Sequence, residues 1–81
     1  MLSKFSSVVN FAISSKKAEI AKDSNMYGYE KRLKDIERRL DNGAIDIAGA
    51  MAELRDCFRG EMYLKSWEYG KIEKDLGYNL K

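Results

Sequence analysis

An all-α fold, a small bundle of three helices with an antiparallel hairpin about Gly43 and a long C-terminal helix kinked at Gly60, follows from three features of this chain. Proline is absent, apolar residues recur at spacings of three and four, and charges of opposite sign stand at mirrored distances from Asn42-Gly43. The 81 residues are expected to form one domain, 1–81, whose core hides only about 60–65% of the surface that the unfolded chain exposes.

The first helix is expected over roughly residues 3–22. Leu2, Phe5, Val9, Ala12, Ile13 and Ile20 fall on one face, while Ser3, Asn10, Ser14 and Lys17 fall opposite. Ser3 is placed to cap the start. Lys16 lies within the apolar face, where its alkyl stem packs while its amine reaches water. Asp23, Ser24, Asn25 and Gly28 then read as a polar connection.

The second helix runs from about residue 28 to about 42, and Tyr29, Leu33, Ile36 and Leu40 form its stripe. Gly43 suits the left-handed position that ends a helix, and Asp46 suits the N-cap of the next. Beyond the turn, Ile47, Ala50, Leu54 and Cys57 repeat the stripe, with Met51 and Phe58 on one flank. In heptad terms, antiparallel helices bring Arg39 against Asp46 and Arg32 against Glu53. Each exposed pair is worth at most about 1 kcal/mol, so the charges select orientation and the apolar seam supplies most of the stability.

Ile47, Met51, Leu54, Phe58, Met62, Tyr69, Ile72 and Leu76 keep one helical phase through Gly60. A glycine inside a helix costs about 1 kcal/mol, and no Ser, Thr, Asp or Asn directly follows it to start another. One long third helix ending near Gly77 is therefore preferred to two short ones. On such a helix Tyr63 and Trp67 point away from the core stripe, with Leu64 at the boundary, and these three are the expected partner-binding residues. In the competing arrangement the chain turns at Gly60 and the first helix covers Trp67 as core.

Catalytic chemistry has little to stand on. With no histidine, neither a Ser/His/Asp nor a Cys/His arrangement exists, and no glycine motif is present to cradle phosphate. Glu19 with Asp23 and Glu37 with Asp41 stand at helical spacing among lysines and arginines, which reads as solvated surface rather than as a metal or acid/base site. The single cysteine, Cys57, lies on the seam and reads as buried and structural. No apolar run approaches the roughly 18 residues of a membrane span. The expectation is a soluble cytoplasmic protein with no enzymatic activity, cofactor or metal.

Charge offers an alternative role. Lys31, Lys34 and Arg38 share the solvent face of the second helix, and Lys4, Lys16 and Lys17 stand in a serine-rich first stretch without acids. Those six would be the contacts for nucleic acid or an anionic membrane surface. A net charge of only +2, with Asp35 close by, favours instead a binder of protein. Small chains without catalytic groups often act sterically as regulators, adaptors or inhibitors, including inhibitors encoded by phages or plasmids. The partner expected here is a protein, with self-association into a homodimer.

The stretch from Leu33 to Phe58, with Gly43-Ala44-Ile45-Asp46 joining two short helices, resembles the SHOCT type of helical hairpin. That resemblance implies an assembly element rather than a catalyst. It covers a third of the chain, and Ala48-Gly49-Ala50 replaces the acidic-aromatic start expected of the second helix.

Overall fold

The computed structural model describes residues 4–80, and side chains through Gly77; Leu2 and Ser3, with the expected Ser3 cap, lie outside the described residues. It is all-helical, with α1 at Phe5–Ala12, α2 at Lys17–Lys22, α3 at Tyr29–Asp41, α4 at Ile47–Cys57 and α5 at Ser66–Leu80. The four longer helices share one core in cyclic order: α1 packs on α3 and α5, and α4 packs on the same two. Short 3-10 turns at Ser14–Lys16 and Ser24–Met26 flank α2.

The expected first helix is therefore broken. Backbone angles at Ile13 (φ −98°, ψ 7°) and Lys16 (φ −113°, ψ 1°) depart from α-helix. The cause is local: the Ser14 hydroxyl donates to the Phe11 carbonyl at 2.9 Å, and serine hydroxyls that compete for backbone groups weaken a helix. Phe5, Val9, Ile13 and Ile20 are still buried, so the core face was read correctly across the break. The start of α1 is served from another helix, where the Glu37 carboxylate of α3 accepts the Ser6 amide at 3.0 Å. Placing Glu37 on a solvated surface was an error, since a carboxylate stabilises the positive end of a helix.

From α3 through the cap of α4 the turn and cap signals hold. Gly28 precedes α3 in the left-handed region (φ 80°), and Leu33, Ile36 and Leu40 are buried. Tyr29 meets the Phe58 ring at 5.7 Å between centroids, tilted by 60°. Gly43 ends α3 with φ 81°, and the Ala44 and Ile45 amides both turn back onto the Arg39 carbonyl, at 2.8 and 3.3 Å. Asp46 caps α4 by accepting the Gly49 amide at 2.8 Å.

That cap explains why the charge register differs from expectation. Arg39 does not pair with Asp46; its two terminal nitrogens reach Glu53 at 2.7 and 2.5 Å, with Nε on Asp35 at 3.0 Å. Arg32 pairs with Asp56 at 3.0 Å rather than with Glu53. Each arginine thus takes a partner further along α4, because residues 42–46 are spent on the turn and the cap. Met51 and Phe58 are buried as well, Phe58 against the Tyr29 ring of α3.

The long third helix does not form. α4 ends at Cys57, and Arg59 (φ 59°) and Gly60 (φ 70°) are both left-handed. Two consecutive left-handed residues reverse the direction of the chain, so the common phase of 47–76 is coincidental. The Gly60 amide returns to the Arg55 carbonyl at 2.8 Å, and the Tyr69 hydroxyl donates to the Gly60 carbonyl. Arg55 stacks over the Tyr69 ring with its guanidinium carbon 4.2 Å from the centroid. The start of α5 is marked by carboxylates that precede and follow it: Glu61 accepts the Ser66 amide at 3.0 Å and Glu68 the Lys65 amide at 3.0 Å. Tyr69, Ile72 and Leu76 are buried as expected, whereas Met62, expected in the core, is exposed on the connection, and α5 runs past Gly77 to Leu80.

Two glycines discriminate this arrangement from a continuous helix. A Cβ at Gly60 meets no neighbour but is forced to φ 70°, so Gly60→Ala is expected to destabilise the fold by about 1–2 kcal/mol. Gly70 stands inside α5 with open space around it, so Gly70→Ala is expected to stabilise by about 0.5–1 kcal/mol. Urea denaturation midpoints read both. Stabilisation by both substitutions would mean that a helix passes through position 60.

Candidate functional site

Charge-free sequence and a chain reversal meet on one side of the molecule. The eleven residues from Phe5 to Ser15 carry no charge, and α1 buries Phe5 and Val9 while leaving Phe11 76% exposed. The turn at Arg59-Gly60 lays α5 against α1, and Trp67, on the first turn of α5, remains 69% exposed. Between the helices runs a cleft with Val8, Ala12 and Ile72 at its base, Phe11 and Trp67 as its walls and Lys71 and Asp75 on its rim. Glu68 closes it, held by Lys16 at 2.5 Å.

The three residues expected to bind a partner divide. Trp67 stands on the cleft. Leu64 is fully buried, because the reversal at Gly60 rephases the chain and turns it into the core. Tyr63 is half-buried against that core, and its hydroxyl donates to Asp23 at 2.6 Å. Tyr63 therefore fastens the α4–α5 connection to the end of α2. The arrangement with a turn at Gly60 is the one realised, yet the first helix does not cover Trp67.

Phe11 was missed. The signal was available, since Phe11 falls outside the face defined by Phe5, Val9, Ala12 and Ile13. The argument that singled out Trp67 applies equally to it. Tyr27, also missed, is 95% exposed, but it borders an open cleft of mixed charge with Lys17, Lys22 and Glu30, and it stands there as the one exposed ring.

The six basic residues of the alternative role do not gather into a free positive surface. Lys16 pairs with Glu68, Arg38 with Asp35 at 2.5 Å, and Lys34 lies 3.8 Å from Glu37. The amine of Lys16 is held in this half-buried pair instead of reaching water. Lys4, just before α1, Lys17 on α2 and Lys31 on α3 are exposed. No group of three or more Cys, Asp or Glu side chains among the described residues is placed to hold a metal ion, and no helix there is long and apolar enough to cross a membrane. Cys57 is buried, and burial pushes its thiol above the usual range, which keeps it protonated and unreactive.

No protein-family model, curated protein or solved structure matches this chain. The hairpin resemblance over Leu33–Phe58 thus assigns no family, and the cleft must be read from its own chemistry.

Asp23 gives the connection a pH dependence. The Tyr63 hydroxyl, then the Asn25 amide, and finally Arg59 at 3.5 Å hold its carboxyl below the usual aspartate value. A depressed folded-state pKa contributes stability that is complete above the unfolded value, about pH 4, and is lost as the pH falls through the folded value. Glu53, held down chiefly by Arg39, and Glu61, held down chiefly by Ser66, act in the same direction. Thermal unfolding is expected to show stability falling steadily from about pH 4 toward pH 2. Asp23→Asn should be less stable at neutral pH and should flatten that slope; an unchanged slope would mean that Asp23 does not anchor Tyr63 in solution.

Proposed function

We propose that this chain is a non-enzymatic protein-binding module, acting sterically as a small regulator, adaptor or inhibitor, whose contact surface is the α1–α5 cleft. The observation that carries this reading is the exposure of two large rings, Phe11 and Trp67, as opposite walls of one apolar cleft. Rings of this size bury much area on binding while losing little conformational freedom, and tryptophan is enriched among residues that dominate binding energy. The surrounding face supports it. Interface centres are depleted in charge, and α1 presents Ser7, Val8, Phe11 and Ala12 beside the cleft without a charged side chain. Lys71 and Asp75 would supply the polar rim. Its mechanism would be occupation: the module covers a partner's surface, holding an assembly together or blocking it.

The electrostatic role has less support, because three of its six contacts already face carboxylates. Salt separates the two. Binding to phosphate falls steeply between low and moderate salt through counterion release, whereas an aromatic-centred contact responds weakly.

A photoreactive phenylalanine analogue placed at position 67 in the native host is expected to crosslink to a polypeptide, and the same analogue at position 27 is not. Phe11→Ser in the position-67 variant should remove most of the adduct, because loss of one such anchor weakens binding by roughly thirtyfold. Adducts with nucleic acid or lipid alone, or no adduct from position 67, would contradict the proposed role.

A further inference from the structure

Lys71 and Asp75 stand one turn apart on the rim of the cleft, and neither makes an ion pair among the described residues. Asp75 is half-buried as a residue, and no cation is paired with it among the described residues. A lysine four residues before an acid has the less favourable orientation for pairing within one helix. Across two helices the same pair is self-complementary. When two α5 helices related by a two-fold axis lie antiparallel and cross near residue 73, Lys71 of each faces Asp75 of the other.

The apolar part of the surface meets the same condition. An isologous interface uses the same patch on both copies. Here Phe11 and Trp67 project from one patch shared by α1 and α5, so that about a two-fold axis the rings of the two copies cover one another. Four rings, two from each copy, would bury on the order of 600 Å² at about 150 Å² each. That is about half of the roughly 1,200 Å² at the lower bound of a specific interface. The outer face of α5, about 22 Å long at 1.5 Å per residue, lies alongside to contribute the remainder.

We infer that the occupant of the cleft is a second copy of this chain, docked about a two-fold axis with Lys71 of each copy on Asp75 of the other. This rests on the binding role proposed above for the same cleft, and it names the partner.

Sedimentation velocity of the full chain, from micromolar to near-millimolar concentration, reads the association. The wild-type chain should pass from monomer to dimer. Lys71→Glu and Asp75→Lys should each weaken association by about tenfold or more, since each places like charges at both contacts. An equimolar mixture of the two variants should recover it, because every contact in the mixed dimer then joins opposite charges. Trp67→Ser should weaken association by about thirtyfold or more. Circular dichroism of each variant should match the wild type, as neither Lys71 nor Asp75 holds the fold together.

A wild-type chain that stays monomeric throughout, or a mixture that fails to recover, overturns the two-fold dimer. A monomeric chain that still crosslinks from position 67 to another polypeptide overturns the dimer and leaves the binding role standing. A monomeric chain with no protein adduct, or one that instead sediments with phosphatidylglycerol vesicles, overturns both.

Discussion

The reversal at Arg59-Gly60 is the constraint on which the rest of this molecule depends. Without it α4 would continue outward, and Tyr69, Ile72 and Leu76 would have no α1 to cover. A left-handed arginine costs roughly 1–2 kcal/mol, and the structure offsets this from both sides of the turn. Arg55 and the Tyr69 hydroxyl hold its inner side, while Arg59 and Tyr63 converge on Asp23 at its outer side. The same reversal has a second consequence. Laying α5 across α1 buries Leu64 but leaves Trp67 beside Phe11, so one backbone feature closes the core and opens the cleft.

Much of the fold was legible where a single segment decides its own conformation. Leu33, Ile36 and Leu40 define α3 by spacing alone, Gly43 meets the demand for a left-handed residue, and Asp46 caps α4 through a carboxylate three residues from its target amide. Cys57 was placed correctly for the same reason. Legibility failed where a distant segment intervenes. Glu37 looked like surface charge because the amide that it caps lies thirty-one residues away in sequence. The ion pairs were assigned by heptad arithmetic, which took no account of Asp46 being occupied by its cap. The break at Gly60 was hidden because apolar residues on both sides kept one phase, and the capping carboxylates, Glu61 and Glu68, are not the residue types that usually announce a helix start.

The candidate site was half legible on the same principle. Trp67 could be singled out as a large ring off the apolar stripe, and its exposure survives although the long helix invoked for it does not. Tyr63 and Leu64 could not be sorted without knowing that the chain turns, since their environments depend on α2 and on the core rather than on their own helix. Phe11 was less legible because one exposed ring off the core face of α1 gains its meaning only when α5 brings Trp67 beside it. What this side of the molecule exposes among the described residues is two large rings, an uncharged stretch of α1, and Lys71 beside the half-buried Asp75.

Trp67 is the only tryptophan in the chain, so fluorescence excited at the red edge, where the tyrosines do not absorb, reports on the cleft and nowhere else. Acrylamide quenching across a dilution series is therefore the most direct measurement of the central claim, that Trp67 stands on an open cleft and becomes covered by another molecule of this chain. In dilute solution the indole should be quenched nearly as readily as free tryptophan, and protection should grow as the protein is concentrated. An indole shielded even at the lowest concentration would place it in the core and contradict the cleft, and one equally accessible at every concentration would contradict its covering.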